Sequence, residues 1–184
     1  MGDFIHSQGL IFLPHVLRRL ANRFVDACDV VFPDYGITVP PRLVSSVHLL
    51  YEHGPRSVTD IAATIGQSHP FVIKAVKQLT ALGIVAIRSD PKDGRRTIVK
   101  LTPKGREQAR RLLDVRPAFE AAYRRLMREA DAEVFDSLWR IEEALGATAF
   151  ADRIAAEQAR SSGRGAARVD GRTRTTKSRG MPRA

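Results

Sequence analysis

From Ser57 to Gly83 the chain reads SVTDIAATIGQSHPFVIKAVKQLTALG, and from Ile84 to Leu101 it continues IVAIRSDPKDGRRTIVKL. Ser57-Val58-Thr59-Asp60 has the form of a capping box with a short acid in place of Glu, so a helix should begin there, turn Ile61, Ala62 and Ile65 inward and close at Gly66. Ser68 is a second N-cap, and Pro70 falls in a first turn, where its missing amide hydrogen costs nothing. Val72, Val76, Leu79 and Leu82 then repeat at helical spacing until Gly83 stops the pattern. After Gly83 the segments Ile84-Val85-Ala86-Ile87 and Thr97-Ile98-Val99-Lys100-Leu101 read as two strands, joined by the turn Ser89-Asp90-Pro91-Lys92-Asp93-Gly94.

Helix, tight turn, helix and a charged-tipped hairpin is the order of a winged helix-turn-helix head, in which the second helix enters the major groove of DNA. Working outward, Leu13, Leu17, Leu20, Phe24, Cys28 and Val31 step by three or four, which predicts a helix from about Pro14 to Phe32. Breaks at Pro33-Asp34-Tyr35-Gly36 and Pro40-Pro41 precede a short helix through Leu43, Val44, Val47, Leu50 and Tyr51 that ends at Gly54. On the other side, Thr102-Pro103 opens a further helix that Pro117 should bend or divide. Phe119, Tyr123, Leu126, Ala130, Val134, Leu138, Ile141 and Leu145 keep one apolar stripe for longer than a compact head needs, so that face wants a partner. The fold expected is mainly α with a small β-hairpin wing: a head over about 41–102 and long dimerisation helices, together spanning 1–159.

The 184 residues suffice for one domain with a real core, at 43% hydrophobic and 27% charged residues. A net charge of +10 points to a polyanionic partner, and its location is uneven. From Arg160 onward eight arginines and lysines face the single acid Asp170, so about seven of the ten positive charges belong to the last 25 residues. That segment, 160–184, is rich in Ser, Gly, Arg and Thr and is expected to be a basic disordered tail. One cysteine, Cys28, excludes an intrachain disulfide framework and a Cys-rich zinc site and fits a reducing cytoplasm. Neither a signal peptide nor a spanning helix is read, so the expectation is a soluble cytoplasmic protein with no membrane partner. Phosphate loops, a nucleophile elbow and the His-Glu-x-x-His pattern are all missing from the sequence, which argues against an enzyme. No cofactor or metal is expected: His48, Glu52 and His53 lack further ligands at short spacing, and a histidine at a helix C-terminus explains His53 more simply.

Gly54-Pro55-Arg56-Ser57-Val58-Thr59-Asp60-Ile61-Ala62, the run Ser68 to Gly83, Asp90-Pro91-Lys92-Asp93-Gly94-Arg95-Arg96 and Leu101-Thr102-Pro103-Lys104-Gly105, in this order, resemble the MarR family of transcriptional regulators. The resemblance is strong over 54–105, weaker over 10–53 and 106–150, and absent from the tail. It implies a homodimer, interlocked through its first and last helices, that binds a pseudo-palindromic operator on double-stranded DNA and acts as a ligand-responsive repressor. It places Arg95 in the minor groove, oriented by Asp93, and a narrow groove of focused negative potential suits a guanidinium. Ser68 and Lys74 match family positions that touch DNA, while Pro70 and Phe71 depart from the small hydroxyl residues usual there. Phosphate contacts by Lys74 and Lys77 are the safer assignment. The DNA-binding set is thus Ser68, His69, Pro70, Lys74, Lys77, Asp93, Arg95 and Arg96.

The resemblance also implies a cleft for a small aromatic or anionic effector, with His15, Arg18, Arg19, Tyr35 and Arg42 as candidate ligand-binding residues, each of which also has an ordinary surface reading. Cys28 lies on an apolar stripe and reads as structural rather than redox-sensing. Trp139 reads as interface packing. The alternative function is a sequence-indifferent architectural DNA-binding protein that relies on its basic tail.

Overall fold

The computed structural model describes residues 3–89 and 97–173, with side chains as far as 162. The chain divides into two compact units, Met1–Ala122 and Tyr123–Ala184.

In the first unit, a short helix α1 (Phe4–Ser7) leads through a 3-10 turn into α2 (Leu13–Val31), which has Pro14 in its first turn as expected. The first turns of the α2 stripe stay open, with Leu13, Leu17 and Leu20 at 38–43% exposed, while Cys28 near its end packs on the core. Two 3-10 turns, Phe32–Tyr35 and Pro41–Leu43, take up the two proline breaks, and α3 (Val44–His53) follows. The head is then β1 (Arg56–Ser57), α4 (Val58–Thr64), α5 (His69–Ala81), β2 (Val85–Ser89) and β3 (Thr97–Leu101). Ser57 caps α4 through the Asp60 amide at 3.1 Å, and Asp60 completes the capping box. Gly83 lies at φ 69°, a left-handed conformation that ends α5 and turns the chain into β2.

The strands form an antiparallel sheet in the order β1-β3-β2, with Val85 opposite Leu101, Ile87 opposite Val99 and Ser57 opposite Ile98. The hairpin was expected; β1 was not, because two residues offer no periodicity to read. Val47 of α3, Ile61 of α4, Val72 and Leu79 of α5, Ile84 and Val99 are completely buried and form the centre of the head. The wing tip, with Asp93, Arg95 and Arg96, lies outside the described residues.

α6 (Pro103–Glu129) begins as expected: Thr102 accepts from the Gly105 amide at 3.0 Å and donates to the Gly83 carbonyl at 2.6 Å. Gly105 is required by closeness, since a Cβ there would stand 2.0 Å from the Ile84 carbonyl oxygen. Gly105→Ala should therefore lower stability by about 1–3 kcal/mol, as overpacking does. Urea unfolding is the measurement, and an unchanged midpoint would contradict this packing. One turn further, buried Gln108 accepts from the Thr38 amide at 2.6 Å and donates to the Gly36 carbonyl at 3.0 Å, which ties α6 to the loop before α3.

Of the bend or division expected at Pro117, the division does not occur. α6 runs through it, losing one ladder hydrogen bond. Val115 is buried and Phe119 packs on Phe32 with ring centroids 6.1 Å apart, so packing on both sides of the proline holds the helix.

In the second unit, the apolar stripe read as continuous is interrupted. α6 ends at Glu129, Asp131 takes a left-handed φ of 48°, and α7 (Val134–Ala147) starts anew. A turn built without Gly or Pro leaves the spacing of Leu126, Ala130, Val134 and Leu138 undisturbed, which is why the sequence conceals it. Arg153 of α8 (Phe150–Thr173) donates to the carbonyls of Ala144 at 2.6 Å and Thr148 at 3.2 Å and so holds α8 at the end of α7. α8 continues past Arg160 to Thr173, where composition predicts a disordered tail from 160. The Ala, Glu, Gln and Arg residues of 151–160 are strong helix formers, and a helix once nucleated propagates cheaply. No residue from Tyr123 to Ser162 is buried. Among the described residues, no helix is long and apolar enough to cross a membrane.

Candidate nucleic-acid interface

α5 is two-faced, and the head fixes which face looks out. Val72, Ala75, Val76 and Leu79 are buried against the core, and Phe71, half-buried, packs on it too. Gln67, Ser68, His69, Pro70, Ile73, Lys74 and Lys77 are exposed together on the opposite side. The Ser68 hydroxyl accepts from the Phe71 amide at 3.3 Å, so it serves as the N-cap and keeps its proton and one lone pair to offer outward. Pro70 has no amide hydrogen to give an anion. Lys74 and Lys77 stand one turn apart and present two cations along one side of the helix.

Beside this face lies an open groove of about 540 Å³, between α5, the start of α4 and the wing strands. Thr59, His69, Ile73, Lys77, Ile87 and Thr97 line it. His69 and Lys77 are among the residues the sequence assigns to the DNA face; Thr59, Ile87 and Thr97 are not. The capping box was the available signal for Thr59, because it starts α4 at the groove's edge. Ile87 and Thr97 required the strand register, which only the fold supplies.

With this geometry in view, residues 47–96 match the model of the MarR family. Over this stretch the head is similar to the MarR family. No curated protein sequence matches the chain. Among solved structures, the PcaV transcriptional regulator of Streptomyces coelicolor, in complex with its natural ligand, has a TM-score of 0.60 at 18% identity, covering 78% of this chain and 98% of that one. The S. aureus MepR-DNA complex has a TM-score of 0.60 at 18% identity, covering 71% and 96%. A probable transcriptional regulator from Pseudomonas aeruginosa has a TM-score of 0.57 at 22% identity, covering 70% and 96%.

The effector candidates around the head are only partly brought together. Arg42 donates to the Asn22 side chain at 2.8 Å, one turn along α2 from Arg18 and Arg19, so these three arginines share one neighbourhood. Arg19 is paired with Asp3 at 2.6 Å, and that bond, with the amide of His6, lowers the Asp3 carboxyl pKa. His15 and Tyr35 lie toward opposite ends of α2, on the order of 25 Å apart along its axis, too far to share one small-molecule site within a protomer. Cys28 is half-buried rather than buried, and burial, then the Asp29 charge, push its thiol pKa up. A raised pKa keeps the thiol protonated, in keeping with a packing role. Among the described residues, no cluster of three or more His, Cys, Asp or Glu is placed to hold a metal. Trp139 is exposed and meets Phe135 edge-on at 6.3 Å.

Proposed function

We propose that this chain is a non-enzymatic, sequence-specific transcriptional regulator that binds double-stranded DNA as a homodimer on a pseudo-palindromic operator. The observation that carries the reading is the face of α5: Ser68, His69, Pro70, Lys74 and Lys77 exposed on a helix whose other side is locked into the core beside a two-stranded wing. In this reading Lys74 and Lys77 meet phosphates, and Arg95, with Asp93 and Arg96 at the wing tip, enters the adjacent minor groove. MepR, of similar fold, was solved with DNA, and PcaV with its natural ligand. Release by a small aromatic or anionic effector is part of the reading, with Arg18, Arg19 and Arg42 as its anion-binding side. The reading takes the protein as a repressor, with the operator occupied when no effector is bound.

Two-fold symmetry gives the test. Selection from random DNA should yield an imperfect inverted repeat whose half-sites lie about one helical turn, roughly 34 Å, apart. Light scattering at micromolar concentration should report twice the 20.4 kDa chain mass. Uniform coating of DNA without a selected site would instead favour an architectural protein that binds through its basic tail.

A further inference from the structure

The exposed face of α5 carries one side chain that solvent does not explain. Ile73, 50% exposed, sits one turn after His69 and one turn before Lys77, amid polar neighbours. The core does not ask for it, because Val72, Ala75, Val76 and Leu79 already close that side. Helix propensity does not either: a β-branched residue at an exposed helical position is worse than Lys, Gln or Glu. Across the groove stands a second isoleucine, Ile87 of β2, 49% exposed. A single surface isoleucine is ordinary. Two of them on one groove, rimmed by Lys77, His69 and the hydroxyls of Thr59 and Thr97, form a patch that is apolar at its centre and hydrogen-bonding and cationic at its edge.

Duplex DNA has one complement to such a patch. The thymine C5-methyl is the apolar group that the major-groove edge of an unmodified base pair presents, and phosphates border it. We propose that Ile73 is a specificity-determining residue that packs on a thymine methyl in the major groove, so that each half-site of the operator carries a thymine at the position facing it. The inference rests on the operator-binding function proposed above, and it adds a base contact beside Pro70, where the helix lacks a hydrogen-bond donor. Lys74 and Lys77 hold the helix at the phosphates, and Ile73 supplies discrimination that a lysine-to-phosphate contact does not.

Uracil differs from thymine only by that methyl and keeps every hydrogen bond, so thymine-to-uracil exchange isolates the contact. The full chain is titrated against its selected operator and against versions in which each thymine in turn is replaced by deoxyuridine in both half-sites. One thymine position per half-site should be sensitive, with affinity falling about fourfold for each methyl removed from a buried contact. Ile73→Ala should weaken binding to the thymine operator and bring the ratio of thymine to uracil affinity close to one, while Ile73→Val should keep most of it. Unchanged thermal unfolding of both variants, expected of a half-exposed position, shows that the head is intact. If no thymine is sensitive, or if the sensitivity persists undiminished in Ile73→Ala, the contact is refuted while operator binding stands. If no symmetric operator is selected at all, the proposed function fails and this contact with it.

Discussion

Leu138→Glu combined with Ile141→Glu on α7 should turn a dimer into a monomer of 20.4 kDa by light scattering and lower operator affinity by about 10²–10⁴-fold. The two side chains are 40% and 47% exposed within the protomer, on a helix none of whose residues is buried. Nothing inside the protomer therefore explains their apolar character. The same holds for Leu13, Leu17 and Leu20 of α2. A stable interface buries roughly 1,200–2,000 Å², and stripes of this length supply apolar area on that scale. Placing carboxylates there costs the dimer their desolvation, while the free helix tolerates glutamate well. Affinity falls because a lone head meets one half-site and loses the effective concentration that its partner confers. Unchanged helical content by circular dichroism would separate this outcome from unfolding. A variant that stays dimeric and binds as before would show that α7 is not the interface.

Where structure is made by neighbours in sequence, it was legible. Ser57 and Asp60, Ser68 with Pro70, and Thr102 with Pro103 declare their helix starts because capping is a local hydrogen bond between residues three apart. The exposed set on α5 was legible for the same reason, since Val72, Val76 and Leu79 fix the buried side by spacing alone. What escaped depends on contacts distant in sequence or on turns without a signature residue. β1 exists only because Arg56 and Ser57 find Val99 and Ile98. The turn at Asp131 replaces a glycine with an aspartate that tolerates the left-handed region, so no break in pattern marks it. Ile87 and Thr97 reach the groove through the register of the wing. His15 and Tyr35 are both candidates for the cleft that the resemblance implies, and the length of α2 separates them.

Deleting residues 160–184 and changing Arg95 to alanine should weaken DNA binding in two distinguishable ways. The deletion removes about seven of the chain's ten net positive charges. It shortens α8, and no residue from Tyr123 to Ser162 is buried. Each phosphate that a cation neutralises adds about 0.9 to the slope of log affinity against log salt. A tail that engages DNA should therefore flatten that slope by several units when it is lost, and specific and non-specific DNA should weaken alike, since phosphate contacts carry no sequence information. Arg95 is one cation, so Arg95→Ala should change the slope by about one unit or less. Its cost should be on the order of 1–3 kcal/mol and fall mainly on the operator, because a guanidinium held at one place in a narrow groove senses the sequence that narrows it. Titrations of both variants on operator and random duplex, from 50 to 200 mM salt, measure all four quantities. Loss of operator preference on tail deletion, with preference intact in Arg95→Ala, would reverse the two roles.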